Sequence, residues 1–345
     1  MAPRPRRSRL TRTLLAVLVT ASVAVPVSGA ARPAAVPAPA PTTLGPLRDT
    51  TPATLAHRYA TTRADIRAAE RTADAHGDHR RATALHALAA PARHFLTFDG
   101  RDGGRSTEVY GDLARADRIA VLVPGADTSF DTYQRFRAGA QALQQQLGRQ
   151  PGIHPAVIAW LGYPTPATVS PAALTTTRAD DAAPQLRAFV KELRHSRPAS
   201  RITLLCHSYG SVVCGRAAPG LPATDLVLYG SPGAGADTAA DLHTRATVWA
   251  GRGADDWIAD VPHAQLPLPT TTLGFGTDPV SPRFGARIFP AGDGGHSDYL
   301  KPGTPSLANL ARIAAGRPPT AAPDTTAAPD ATAAPQRTTG EAHRA

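Results

Sequence analysis

The stretch RITLLCHSYGSVVCG, residues 201–215, constrains the fold of this chain more than any other. Its apolar first part predicts a buried strand, and its small-residue second part predicts a helix. The chain must pass from one to the other within one or two residues, which places Ser208 at a sharp corner. Such a corner strains the serine backbone and lifts its hydroxyl clear of the sheet. We therefore predict that Ser208 is a nucleophile, rather than a residue that only caps the helix.

Strand-like and helix-like segments alternate along most of the chain. Continuous apolar runs, such as RIAVLVPG and PAVIAWLG, are typical of strands buried on both faces. The alternation indicates βαβ units and a mostly parallel central sheet flanked by helices, an α/β fold. The predicted strands are residues 94–99, 106–112, 118–125, 155–162, 201–206, 224–233 and 245–253. The predicted helices are residues 130–147, 176–195, 209–217 and 306–315.

The first 30 residues have the three-part layout of a secretory signal peptide. The basic segment PRPRRSRLTR precedes the apolar stretch TLLAVLVTASVAVPV, and SGA supplies small residues for cleavage before Ala31. This stretch is shorter than the roughly 20 residues that span a bilayer. We predict a secreted, extracellular protein that has no membrane partner after cleavage. An uncleaved N-terminal segment that anchors the chain to the membrane is the alternative.

The rest of the chain divides by composition and by breaks in the apolar pattern. Proline and alanine dominate the segment after the signal peptide and the carboxyl-terminal segment, and neither carries the apolar bulk of a core. The predicted parts are a signal peptide at 1–30, a Pro/Ala-rich linker at 31–48, a small N-terminal helical pair at 49–92, the α/β domain at 93–315 and a disordered low-complexity tail at 316–345.

A serine nucleophile needs a general base, and the base needs a carboxylate that orients it. On sheets with a corner of this kind, the order along the chain is serine, acid, histidine. Asp256 follows the predicted strand RATVWAG and a glycine-containing turn, and we predict it as the acid. Asp255 is the close alternative, and Asp237, after the preceding strand, is a third choice.

The predicted base is His296, which follows the last predicted strand and the glycine-rich loop AGDGG. Glycines there leave room for an exposed ring that moves a proton between Ser208 and a leaving group. His243 and His263 are alternatives, but neither follows a last strand. We expect His207, beside the serine, to be a buried packing residue.

Negative charge that develops on a tetrahedral intermediate requires preorganised N–H donors. The backbone N–H of Tyr209, directly after the nucleophile, is the first predicted donor of this oxyanion hole. The second is the backbone N–H of Ala126, or of Gly125, in the turn after the strand RIAVLV.

Composition and motifs exclude several other functions. The net charge is +10, but no basic run interleaved with aromatic residues lies in the body of the chain, so no nucleic-acid partner is predicted. We find no phosphate loop and no dinucleotide fingerprint. His76, Asp78 and His79 lie close together without the further ligand that a tetrahedral metal site needs. We predict no cofactor and no metal; the expected partner is a small-molecule or acyl-ester substrate, and the oligomeric state stays open.

Seven motifs, in this order, resemble the α/β-hydrolase superfamily: VLVPGADTSFDTY, AWLGYPTP, CHSYGSVV, GSPGAG, WAGRGADDWIADVPH, FGTDPVSPRFGARIFP and GGHSDYLKPGT. Within it, the chain is similar to a poorly characterised secreted group of actinobacteria, catalogued as a domain of unknown function. The resemblance covers about residues 95–312. It implies a serine hydrolase with Ser208, Asp256 and His296 as its triad, and it implies no particular substrate.

Cys206 departs from the usual pattern, which has a glycine at this position. An exported chain with two cysteines often pairs them, and Cys214 lies on the helix that faces the strand of Cys206. A bridge, however, requires Cα atoms within about 7 Å, and packed strands and helices are often farther apart. The two residues are therefore predicted either to form a disulfide or to remain free.

The leading interpretation is a secreted serine hydrolase that cleaves a carboxylic ester through an acyl-enzyme. A peptidase or an acyltransferase with the same triad is the alternative within enzymes. A non-catalytic cell-surface binding module that keeps the fold is the alternative of another class. No lid-like run of bulky apolar residues is evident, which argues against an interfacial lipase.

Overall fold

A computed structural model describes residues 38–320, and an eight-stranded sheet forms its centre. The strands lie in the order β1-β2-β4-β3-β5-β6-β7-β10, and β8 and β9 form a separate antiparallel hairpin. The strands are β1 (His94–Asp99), β2 (Arg105–Gly111), β3 (Arg118–Val123), β4 (Pro155–Leu161), β5 (Arg201–His207), β6 (Asp225–Tyr229), β7 (Thr247–Gly251), β8 (Gln265–Pro267), β9 (Thr272–Gly274) and β10 (Arg287–Ile288).

From β4 to β10 the neighbouring strands of the large sheet run parallel, and only β2 pairs antiparallel with both of its neighbours. Parallel strands are connected by helices that return across the sheet, which places helices on both of its faces. The predicted fold, a mostly parallel sheet flanked by helices, is confirmed.

Helices cover both faces because the central strands are apolar on both sides. The helices are α1 (Pro52–Ala75), α2 (His79–Leu88), α3 (Tyr133–Gly148), α4 (Thr177–Ser196), α5 (Tyr209–Ala217) and α6 (Pro305–Ala314). In β3, Ile119 and Val121 belong to the core beneath α4 and α5, whereas Ala120 and Leu122 belong to the core beneath α3 and α6. The alternation of side chains along a strand thus feeds two apolar cores.

The first two helices form a hairpin against the β1 edge of the sheet. The Asp78 side chain caps α2 by accepting from the Arg81 backbone N–H at 2.9 Å. Beneath the hairpin, the Arg93 guanidinium donates to both carboxylate oxygens of Glu108, at 2.7 and 2.6 Å, and both residues are buried. Arg93 also donates to the Ala87 carbonyl at 3.1 Å, so its guanidinium links the hairpin to β2.

The predicted signal peptide lies outside the described residues, as do residues 31–37 of the linker and the tail from residue 321. The first residues assigned to the tail lie along α6, where the Thr320 backbone N–H donates to the Asn309 side chain at 2.8 Å. Within residues 38–320, no helix has the length and apolar character needed to cross a membrane.

The β8–β9 hairpin is an element that sequence analysis did not predict. Its sequence, QLPLPTTTLG, has exposed residues throughout β8, so no strand-like alternation of buried and exposed residues marks it. It is held to the segment before α4 by an isolated bridge between Leu273 and Thr175.

Candidate active site

The corner between β5 and α5 has the strained backbone that the sequence predicts. Ser208 adopts φ +53° and ψ −126°, and its backbone N–H donates to the Tyr229 carbonyl at 3.1 Å. Residues with side chains seldom adopt this conformation, and they keep it only where the surrounding structure enforces it. We refer to residues 206–210 as the elbow.

Two glycines allow other backbone segments to approach the elbow closely. A Cβ atom on Gly210 would lie 2.5 Å from the Val123 carbonyl oxygen, and one on Gly125 would lie 2.6 Å from Cβ of Ser208. Real Cβ atoms do not make contacts this short, so neither position has room for a larger residue. The end of β3 is thereby packed directly against the serine.

The structure brings Ser208, His296 and Asp256 into one hydrogen-bonded chain. Ser208 Oγ lies 2.9 Å from His296 Nε2. His296 Nδ1 lies 2.9 and 3.1 Å from the two carboxylate oxygens of Asp256. Asp256 follows β7 and is only 2% exposed, whereas the alternative acids Asp255 and Asp237 are exposed and lie outside this chain.

Asp256 is held as an ionised acceptor by three donors. Besides His296, the Ile258 backbone N–H donates to Oδ1 at 2.9 Å, and the Tyr299 hydroxyl donates to Oδ2. Burial raises the pKa of this carboxyl, but the three hydrogen bonds outweigh it and hold the pKa below its usual value. The carboxylate therefore stays negative beside the imidazole at neutral pH.

Tyr299 is a residue of this site that sequence analysis missed. Its hydroxyl oxygen accepts from the Gly253 backbone N–H at 3.0 Å, which leaves its proton directed at Asp256. Burial, reinforced by the Asp256 carboxylate, raises the pKa of Tyr299, so the phenol stays protonated and remains a donor. In the sequence its only signal is its place three residues after His296.

His207 contacts His296 directly instead of only packing within the core. Its Nε2 lies 2.9 Å from the His296 carbonyl oxygen, and a carbonyl only accepts, so Nε2 carries the proton. Burial and the neighbouring His296 ring lower the pKa of His207 to about 3, which keeps this ring neutral. Its centroid lies 4.8 Å from that of His296, and the Trp257 ring lies 4.7 Å from His296.

The backbone N–H groups that the sequence predicts as oxyanion donors have no acceptor in the described part of the chain. Among residues 38–320, neither the Tyr209 nor the Ala126 backbone N–H has an acceptor, whereas the next N–H, of Asp127, donates to the Pro166 carbonyl at 2.9 Å. Tyr209 is fixed by its own hydroxyl, which donates to the Thr175 carbonyl at 2.7 Å. The Gly125 backbone N–H, predicted as the alternative to Ala126, likewise has no acceptor among the described residues, so all three groups are free to donate to a ligand oxygen.

A cleft of about 680 Å³ opens above Ser208. Its lining includes the turn after β3 and the first turns of α3, together with Trp257, Tyr299 and Leu300. In the part of the chain that is described, no three His, Cys, Asp or Glu side chains gather around a common point as metal ligands do. His79 instead contacts Asp74, and His76 contacts the Thr72 carbonyl oxygen.

Cys206 and Cys214 are joined by a disulfide in the structure, with Cα atoms 6.4 Å apart. Both residues are fully buried. The bond links the end of β5 to the middle of α5, and the two residues that it joins lie on either side of Ser208 in the sequence.

Comparison with known proteins supports the architecture. Residues 99–266 match the family described as Alpha/beta hydrolase. The uncharacterized protein Rv2079 of Mycobacterium tuberculosis is 30% identical over 261 residues, which are 66% of this chain and 39% of that protein. A second one from the same organism, Rv0963c, is 37% identical over 134 residues, 36% of this chain and 50% of that protein. The chain thus spans half or less of the length of these relatives.

Among solved structures, XC6422 from Xanthomonas campestris is described as an a/b serine hydrolase without lid. It has a TM-score of 0.43 and 19% identity, and the match covers 68% of this chain and 98% of that one. By the family match, residues 99–266 belong to the α/β-hydrolase superfamily, and the eight-stranded, mostly parallel sheet with its serine elbow agrees with that assignment.

Proposed function

We propose that the protein is a secreted serine hydrolase that cleaves carboxylic esters through an acyl-enzyme. The observation that carries the proposal is the continuous chain from Ser208 Oγ through the His296 imidazole to the Asp256 carboxylate, at the bottom of an open cleft. Nucleophile, base and orienting acid lie within hydrogen-bond distance in the order that acyl transfer requires.

In the acylation step, Ser208 Oγ attacks the ester carbonyl carbon while His296 Nε2 accepts the hydroxyl proton. Nδ1 of His296 carries its proton toward Asp256, and this leaves Nε2 with the lone pair that the base needs. The Asp256 carboxylate then stabilises the imidazolium. Negative charge on the carbonyl oxygen is met by the free N–H groups of Tyr209 and Ala126.

The tetrahedral intermediate collapses when His296 returns the proton to the leaving alcohol, which breaks the ester C–O bond. The acyl group stays on Ser208 as an ester. A water molecule then attacks that ester, with His296 again taking a proton, and the acid leaves as Ser208 recovers its hydroxyl proton. The three side chains thus serve both half-reactions without a cofactor.

Covalent labelling with a fluorophosphonate tests the nucleophile. We expect the folded wild type to be labelled and Ser208→Ala to remain unlabelled, while His296→Ala should be labelled at least about 100-fold more slowly. Asp255→Asn serves as a control beside the triad and should label like the wild type. Failure of the folded wild type to react would refute the proposal and favour a binding module that lacks catalysis.

Substrate class is tested by pairs of chromogenic compounds that share one acyl group. We expect nitrophenyl esters to be hydrolysed and the matching nitroanilides to be cleaved far more slowly. Preferential cleavage of the anilides would instead indicate a peptidase, and transfer of the acyl group to an added alcohol in place of water would indicate an acyltransferase.

Export is part of the proposal and depends on the N-terminal sequence alone. Expression of the full chain in an actinobacterial host, followed by N-terminal sequencing of the protein in the medium, is expected to give a mature chain that begins at Ala31. Retention of the full-length protein in the membrane fraction would support the uncleaved anchor instead.

A further inference from the structure

Most of the large apolar side chains that are exposed in the described part of the chain lie in two segments that are bonded to each other. Seven large apolar residues in residues 38–320 are exposed by 41–71%. Five of them lie in two segments, the one before α4 and the β8–β9 hairpin, and we call these five the apolar rim. Trp257 lies on the cleft wall, and Ile288 lies apart on β10. The rim consists of Val169, Leu174, Leu266, Leu268 and Leu273.

The two segments of the rim are bonded to each other and lie beside the cleft. The Thr176 backbone N–H donates to the Thr272 carbonyl at 3.1 Å. The Tyr209 hydroxyl donates to the Thr175 carbonyl, so the rim is attached to the residue that follows the nucleophile. Thr168, directly before Val169, lines the cleft. The rim therefore adjoins the cleft through Thr168.

The chemistry of the rim fits an apolar phase rather than a polar partner. Neither residues 150–177 nor residues 261–277 contain Asp, Glu, Lys or Arg. Large exposed apolar patches mark sites of interaction with proteins or membranes. Pro267 and Pro269 in the hairpin supply no backbone N–H, so fewer donors would lose water when the hairpin enters an apolar phase.

The same prolines argue against a second copy of the chain as the occupant. Two copies that associate through an exposed strand do so by extending the sheet, and a proline in an edge strand interrupts that ladder. Pro267 lies within β8, the fully exposed strand of the hairpin. A lipid surface needs no such ladder, because it accepts apolar side chains without pairing the backbone.

We propose that the apolar rim inserts into the surface of a lipid aggregate and that the ester substrate enters the cleft from that phase. This inference depends on the proposed function. Sequence analysis predicted no membrane partner after cleavage of the signal peptide and found no lid-like run of bulky apolar residues. The five residues of the rim are divided between two segments that are distant in the chain. The fold brings them together.

Binding is measured first, by flotation of the folded protein with neutral phosphatidylcholine vesicles. The background is Ser208→Ala, so that hydrolysis does not consume the vesicles. We expect this protein to float, and the triple change Leu266→Ser, Leu268→Ser, Leu273→Ser to lower vesicle partitioning at least about tenfold. Ile288→Ser, which removes an equally exposed apolar side chain elsewhere, is the matched control and should leave partitioning unchanged.

Activity on a soluble ester shows that the triple variant is folded and intact at the cleft. With Ser208 present, the triple variant should hydrolyse nitrophenyl acetate like the wild type and lose at least about tenfold in rate on a long-chain ester presented in vesicles. Vesicle binding by a protein that hydrolyses no ester would refute the proposed function while it supports the rim.

The inference is overturned if the Ser208→Ala protein stays with the soluble fraction, or if the triple change and Ile288→Ser reduce flotation equally. It is also overturned if sedimentation equilibrium shows a dimer that the triple change dissociates, since the rim would then be the contact between two copies.

Discussion

The bridge between Cys206 and Cys214 gives the sharpest test of how the elbow is held. The perturbation is a set of three variants: Cys206→Ala, Cys214→Ala and the double replacement. Each single variant removes the bridge together with one buried sulfur, and the double variant removes the bridge and both sulfurs. The set therefore separates the contribution of the covalent link from that of sulfur packing.

The expected magnitude follows from the loop that the bridge closes. The two residues are 8 positions apart. For a loop of about nine residues, the chain-entropy relation gives about 2.6 kcal/mol of stabilisation. Each fully buried sulfur adds about 1 kcal/mol of packing, comparable to a buried methyl group. Each single variant should thus lose about 3.6 kcal/mol and the double variant about 4.6 kcal/mol, well below the sum of the singles.

Urea unfolding followed by circular dichroism under non-reducing conditions measures these free energies. Thiol titration in denaturant checks the premise, and the wild type should show no free thiol. Because both cysteines are fully buried, reductant should act on the wild type only once it is unfolded. Strict additivity of the two single losses, or two free thiols in the wild type, would refute the reasoning.

Three further predictions test the surroundings of the site. Tyr299→Phe should lower the free energy of unfolding by about 2 kcal/mol at neutral pH. The pKa of Asp256 is lower in the folded state than in the unfolded chain, so the ionised carboxylate stabilises the fold at a pH above its unfolded pKa. This stabilisation is lost as the pH falls through the folded pKa. Urea unfolding should therefore show a smaller effect of Tyr299→Phe at about pH 3 than at about pH 7. Gly210→Ala should slow fluorophosphonate labelling at least about tenfold because its Cβ would meet strand backbone, whereas Gly148→Ala, with no atom within 4 Å, should label normally. Glu108→Gln should cost about 3 kcal/mol in thermal unfolding because it leaves a buried guanidinium without its carboxylate, and equal melting temperatures would contradict this.

The parts of the fold that were predictable are those with a local signal. Buried parallel strands appear as continuous apolar runs, and the corner at Ser208 follows from a strand that meets a helix without a loop. Asp256 and His296 were predictable because chain order restricts where an acid and a base can follow such a serine. In each case a short window of sequence contains the physical cause.

Other features depend on segments that meet only in the folded chain. Nothing near His207 in the sequence indicates that its Nε2 bonds to a carbonyl 89 residues later. The role of Tyr299 depends in the same way on its hydroxyl reaching Asp256, 43 residues earlier in the chain. The β8–β9 hairpin carries no alternation because neither of its faces is well buried. Such contacts are set by topology and loop packing, which local propensity does not encode.

The close contacts at the elbow explain why a cysteine is accepted where the usual G-x-S-x-G pattern has glycine. In that pattern a small residue precedes the serine by two positions. Two other positions at the corner have no room for a side chain: Gly210, which faces the end of β3, and Gly125, which faces Ser208. The Cys206 side chain is buried in the core shared with α5, next to Cys214, where a sulfur has room. The positions at the corner that require glycine are therefore Gly210 on the helix and Gly125 in the turn after β3. Position 206 has room for the disulfide.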